Sequence, residues 1–176
     1  YGIPFLSVHT EHFKCENHLP GLERTITACF DLMQQCPPAG TVNLLGQRMG
    51  KFETTELSRI LRDNGVKIGM QLPCGCTVDE IVTAASAKVN IVVNGIALPL
   101  AQKMRESFGT PYVFFDKFTD PDRILKTYET LFAALEMELP VEIQELYGKA
   151  KEAAAKAKPE LQGVSYIYGN TPFDCL

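Results

Sequence analysis

Long apolar runs are missing from this 176-residue chain: nothing in it approaches the roughly 18 residues that a membrane-crossing helix needs. Basic runs are missing too. Lys and Arg number 17 against 21 Asp and Glu, for a net charge of −4, which argues against nucleic acid as a partner. No G-x-G-x-x-G follows a strand and no G-x-x-x-x-G-K-[ST] occurs, so a standard dinucleotide site and a P-loop are both excluded. No G-x-S-x-G is present to make a serine hydrolase elbow. Tryptophan is absent. With 45% apolar and 22% charged residues the remainder is an ordinary globular composition, long enough for one domain with a real core. The six cysteines are too few for a disulfide scaffold of this length. Reduced thiols and a strand-rich pattern point to the cytoplasm. No signal peptide is expected before Tyr1. The chain opens on Tyr and stops at F-D-C-L just past a strand signal, so it reads as a piece of a longer polypeptide.

Histidine is scarce and concentrated. His9, His12 and His18 lie three or six apart, with Cys15 at the missing step, in S-V-H-T-E-H-F-K-C-E-N-H-L-P-G. Imidazole and thiolate are the commonest protein ligands for zinc, copper and iron, so His9, His12 and Cys15 are candidate metal ligands. Thr10, His12, Phe13, Cys15, Asn17 and His18 form helices poorly and Pro20 follows, which predicts a loop. In a loop the three-residue spacing does not by itself bring side chains together. The run can also line a substrate or cofactor cavity, solvate itself, or meet a neighbouring chain.

Strand and helix signals alternate along the rest. Strands are expected near 3–8, 41–46, 66–71, 89–94 and 112–116, with a less certain one at 164–168. A helix opens at Pro20, with Leu22, Ile26, Cys29, Phe30 and Met33 on one face and Pro37-Pro38 beyond its end; Cys29 reads as core filler. Another starts at Thr54 or Thr55 and closes at Asn64-Gly65. Thr77 and Glu80 form a capping box. A helix over 97–109 ends at Gly109, and Asp120-Pro121 starts one running to about Met137. Pro140 begins a last helix whose Ala- and Lys-rich end has the composition of a semi-rigid spacer.

Five βα units imply an α/β fold: a Rossmann-like, doubly wound, mostly parallel sheet in αβα layers. Residues 1–138 read as this domain, with its core in 41–138. Residues 139–176 read as a helical connector and the first strand of a next domain. Topology collects the loops 9–21, 46–53, 73–76, 94–97 and 116–120 on one edge. His18, Gln47, Arg48, Cys74, Cys76, Asn94 and Asp116-Lys117 therefore converge on one crevice, the place where such sheets bind ligands. His18 and Asn94 are expected to share a cavity with Cys74 or Cys76 at its rim. Alternatives stand beside this: Cys74 and Cys76 as plain loop thiols around a turn glycine, Gln47-Arg48 as an anion holder or a structural segment, Glu11 and Glu16 as acid and base or as solvated carboxylates.

T-V-N-L-L-G-Q (41–47), the block E-T-T-E-L-S-R-I-L-R-D-N-G-V-K-I-G-M-Q-L-P-C-G-C-T-V-D-E-I-V-T-A-A-S-A-K-V-N-I-V-V-N-G (53–95) and L-A-Q-K-M-R-E-S-F-G-T-P-Y-V-F-F-D (100–116) together resemble the nitrogenase component 1 family. That family takes in molybdenum-iron protein subunits, cofactor-assembly scaffold subunits and nitrogenase-like tetrapyrrole reductases. The resemblance covers roughly residues 3–138, and L-Q-G-V-S-Y-I-Y-G-N (161–170) is similar to the strand opening that family's next domain. It implies consecutive Rossmann-like domains in paired homologous subunits, an iron–sulfur cluster or related metallocofactor, and electrons delivered by an ATP-dependent iron-protein partner. It places a cavity-lining run at Glu11 to Leu22, with His18 near a cofactor-adjacent glutamine of the molybdenum-iron alpha subunit and Leu22 near its cavity histidine. Where that subunit has a cofactor-ligating cysteine this chain has Asn94, a poor iron ligand. The bridging-cluster cysteines would precede Tyr1 and the other cofactor ligand would follow Leu176. The 176 residues alone are thus expected to carry no cluster and no reductase activity. A nitrogenase-like oxidoreductase subunit, an assembly scaffold, or a metal- or small-molecule-binding module without a redox role all remain open.

Overall fold

A computed structural model describes residues 5–11, 18–48, 52–115 and 120–165. The chain divides into two compact units, Tyr1–Phe114 and Phe115–Leu176. The first is built on four strands: β1 (Val42–Gln47), β2 (Ile68–Pro73), β3 (Val89–Val92) and β4 (Tyr112–Phe114). Their order is β2-β1-β3-β4 and every pairing is parallel. β1 and β3 are central, and V-N-L-L and V-N-I-V are buried throughout, as expected of strands covered on both faces. Their register is held by polar groups as well. Asn43 and Asn90 stand opposite each other, 1% and 0% exposed. The Asn43 amide donates to Asn90 Oδ1 and to the Ala84 carbonyl, both at 2.8 Å. Sliding one strand by a residue would leave those buried acceptors empty.

The helices follow from local chemistry. α1 (Leu19–Ala28) carries Pro20 in its first turn and runs on into a 3₁₀ turn, Cys29–Leu32. α2 (Glu56–Asp63) is capped by Thr55, whose side chain accepts from Ser58 N–H. It closes with Gly65 at φ 76 and Val66 N–H bonded to Leu61 O. That closure consumes Val66, so β2 begins at Ile68 rather than at 66. α3 (Val78–Val82) has the complete Thr77–Glu80 capping box. α4 (Leu98–Phe108) stops at left-handed Gly109.

The strand expected at 3–8 is not found where it can be seen. Residues 5–8 are irregular and Phe5 is 86% exposed; residues 3 and 4 lie outside the described residues. An apolar run becomes a strand only where a sheet edge accepts its backbone. The outer edges of the sheet are β2 and β4, and residues 5–8 pair with neither. Among the described residues the histidine run does not follow a strand end, and four strands lead into helices where five were expected.

The second unit holds α5 (Pro121–Ala134) and α6 (Val141–Leu161). Asp120 caps α5 through Asp122 N–H at 3.0 Å, and the helix ends earlier than expected because Glu136 turns to φ 56 and Met137 N–H closes onto Phe132 O. Asp122 ties the two helices by accepting from Tyr147 Oη at 2.7 Å and Lys151 Nζ at 2.9 Å. From Lys151 to Leu161, α6 is exposed except at half-buried Ala157. Val164 and Ser165 are irregular, and the rest of the strand expected at 164–168 lies outside the described residues.

Candidate functional site

The strand order makes a switch point. The chain leaves β1 for β2 on one side, then crosses to β3 on the other. The connections after β1 and β3 thus part at their carboxyl ends, the usual position of a ligand crevice in open α/β sheets. Its two lips touch through Gly46. That residue sits at φ +99, and a Cβ on it would fall 2.7 Å from Asn94 Cβ and 2.9 Å from Asn94 N. Only glycine fits such an approach. Val93 N–H donates to Leu45 O at 2.8 Å just below. Asn94 itself is 7% exposed, and its Oδ1 accepts from Ile96 N–H at 3.1 Å, opening the 3₁₀ turn Gly95–Ala97 that leads into α4. α1 packs against that same turn.

Beyond Gly46 come half-buried Gln47, which stands beside Pro73 in register, and Arg48. The Arg48 guanidinium lies 3.5 Å from His18 Nε2. A guanidinium only donates, so a hydrogen bond between the two requires Nε2 as its acceptor. His18 occupies the N-cap position of α1 without capping it. On α1, Arg24 Nη1 donates to His9 O at 3.2 Å and pairs with the Glu11 carboxylate at 3.0 Å. Thr10 lies against Gly21, where an added Cβ would approach its Cβ to 3.3 Å. Residues 9–11 are thereby clasped along α1, with Glu11 held at φ 48. Glu11 thus serves an ion pair rather than standing as a solvated carboxylate.

Cys74 and Cys76 end β2, on the side of β1 away from β3. Both are half-buried around Gly75 at φ 92. Burial pushes the Cys76 thiol up, and facing Cys29, Glu80 and Cys74 push it further. Cys29 is raised by its own burial; it is half-buried rather than core, with its thiol donating to Thr25 O at 3.6 Å. His12, Cys15, Glu16, Asp116 and Lys117 lie outside the described residues, and His9 is exposed.

The structure thus brings His18 to Arg48, Asn94 to Gly46 and Cys76 to Cys29. Sequence reasoning passed over Gly46 and the Arg24 clasp. A glycine closing an apolar strand run was the available signal for the first; the second depends on contacts more than ten residues apart and left none.

Among the described residues the donor set does not fit an iron–sulfur cluster. Asn94 offers an amide whose oxygen is committed to the backbone, the raised thiols favour the protonated form, and among the described residues no three of His, Cys, Asp and Glu are grouped to hold a metal. No helix among the described residues is long and apolar enough to cross a membrane.

The light-independent protochlorophyllide reductase of Nostoc punctiforme has one subunit that is 32% identical over 78 residues, 42% of this chain and 15% of that protein. The same subunit from Synechococcus elongatus is 31% identical over the same span. The alignments therefore cover about 15% of the length of these relatives. Among solved structures, one titled nitrogenase Cp1 at pH 5 overlays on 85% of this chain and 30% of its own, with TM-score 0.57 and 17% identity. Nitrogenase Cp1 at pH 6.5 overlays on 84% of this chain and 37% of its own, with TM-score 0.62 and 14% identity, which extends the fold likeness. The sequence profile described as nitrogenase component 1 type oxidoreductase matches residues 1–172, nearly the whole chain, and the protein belongs to that family.

Proposed function

We propose that this chain supplies the ligand-facing α/β domain of a nitrogenase component 1-like oxidoreductase subunit, and that His18, Gln47, Arg48 and Asn94 border the site, with Cys74 and Cys76 at its rim. The switch-point crevice, with its lips in contact at Gly46 and Asn94, is the observation that carries the reading. The ligand is of tetrapyrrole type. The named activity of the protochlorophyllide reductase relatives favours it. Any iron–sulfur cluster or related metallocofactor of the full-length protein would then take its ligands from elsewhere. Residues 1–138 form the domain and 139–176 lead toward another. In the full-length protein a homologous partner subunit completes the assembly, and an ATP-dependent iron protein delivers electrons.

An assembly scaffold is the second reading, and Asn94 is the observation that favours it: a redox subunit that held its own cluster at that lip would need a thiolate there. Absorption titration of the chain with protoporphyrin tests the first reading. Saturable binding, lost in Arg48→Glu and Gln47→Trp variants that still fold, is the expected result. Binding that ignores both substitutions would move the ligand away from this crevice.

A further inference from the structure

We infer that Arg48 and His18 form an oxyanion subsite that holds a carboxylate or phosphate of the ligand at the lip of the crevice. The inference rests on the crevice proposed above and names the chemistry it recognises.

Other arginines of the chain are satisfied internally. Arg24 pairs with Glu11, Arg59 and Arg62 with Asp63, and Arg105 lies over the Tyr112 ring. Arg48 is half-buried and meets an imidazole instead. A guanidinium presents five N–H donors in a planar fork and keeps its charge. A single acceptor at 3.5 Å, the outer limit of a hydrogen bond, uses little of that fork. Among the described residues no carboxylate is paired with it. An anion entering here would take up donors of the fork that the single contact to His18 does not use.

The surroundings suit an anion. His18 stands at the start of the ten-residue α1, whose first turn carries no acidic side chain. The partial positive charge of that helix end is left unopposed by its own sequence. Gly46 and the buried Asn94 fix the backbone from which Arg48 departs, so the guanidinium leaves a rigid strand end rather than a free loop. An oxyanion entering between the two side chains would take the guanidinium fork two-pronged. The imidazole would turn to the tautomer with its proton on Nε2 and donate that N–H to the oxyanion. No bond is made or broken in this step beyond that proton's position.

The test follows the His18 ring protons by nuclear magnetic resonance, identified by their loss in His18→Gln. Sodium acetate and sodium phosphate are titrated separately, with chloride holding ionic strength constant. A saturable shift with either oxyanion, absent with chloride, is expected. Its half-saturation concentration should rise by about tenfold or more in Arg48→Gln, the loss of one charge-assisted contact, and stay put in Arg62→Gln. Response to acetate alone assigns a carboxylate source, and response to phosphate alone a phosphate source. If Arg48→Gln does not fold, Arg48→Lys keeps the charge without the fork and should still raise the half-saturation point several-fold. No saturable shift, an equal response to chloride, or arginine variants that titrate like the parent would each overturn the inference. A porphyrin dimethyl ester, which has no free carboxylate, separates the two ideas. Its binding with no oxyanion response removes the subsite and leaves the crevice. Oxyanion response with no binding of free-acid protoporphyrin keeps the subsite and removes the tetrapyrrole reading.

Discussion

The carboxyl ends of β1 and β3 and the carboxyl end of β2 belong to one sheet, yet they are built on opposite plans. At the first, neighbouring groups interlock: Gly46 abuts Asn94, Asn94 caps the next turn, and Arg48 reaches His18. At the second, Gly75 turns through open space between two half-buried thiols, one of them reluctant to ionise. Tight backbone fit marks the lip that has to stay put, and loose fit marks a corner that only has to turn the chain into α3.

Glycine substitution sharpens that contrast most. Gly46 and Gly75 share a left-handed φ, 99° and 92°, but only Gly46 has neighbours within 4 Å of an added Cβ. Gly46→Val should cost about 3 kcal/mol or more, from strain and overpacking together, and Gly75→Ala about 1–2 kcal/mol from conformation alone. Urea unfolding reads both. Equal losses would erase the distinction between the two corners.

Next in size is the floor of the crevice. Asn43→Leu leaves Asn90 Oδ1 and the Ala84 carbonyl without their shared donor and should cost about 2–3 kcal/mol. Adding Asn90→Leu should cost less than a second full increment, because the pair is then apolar on both sides. A purely additive double variant would show that the two amides do not work as a unit.

Asn94 should come third. Asn94→Ala removes the acceptor for Ile96 N–H and should cost about 1–2 kcal/mol, whereas Asn94→Asp keeps an acceptor and should recover part of it. Melting temperatures of the three proteins rank them directly. An Ala variant as stable as the parent would mean that the turn needs no cap.

The smallest effect is expected at the open corner. The folded thiol of Cys76 ionises above its ordinary value of 9.0, burial being the main cause. Its thiolate fraction at pH 8 is therefore lower than in the unfolded chain, and alkylation by iodoacetamide should run slower in the native protein than in urea. The unfolded thiol loses its proton first as pH rises, so this group's contribution to stability is present below pH 9 and declines above it. Faster native labelling would place Cys76 among reactive thiols.

Much of the sheet was legible because its signals are local. The strands expected at 41–46, 66–71, 89–94 and 112–116 appear within two residues of their expected ends, bounded by Asn64-Gly65, Thr77, Gly109 and Asp120-Pro121, whose capping chemistry lies within a turn. Residues 5–8 have the same apolar character as a buried strand, but nothing in six residues says whether a sheet edge is vacant. The candidate site divides in the same way. That Arg48 and Asn94 follow strands could be read directly; that Gly46 turns to a positive φ against Asn94, or that Arg48 meets His18 thirty residues away, depends on tertiary placement.

The bare half of α6 has a consequence for how this molecule melts. Ten residues, Glu152–Leu161, are exposed except for half-buried Ala157, and Pro159 contributes no amide hydrogen there. A helix of that length without packing is marginal, gaining little from each added turn. Its far end should unwind gradually on warming, well before the sheet gives way. Circular dichroism in the far ultraviolet would then slope downward through temperatures at which the buried aromatic residues still report a native environment, and the chain would show two melting curves where one cooperative domain would show one.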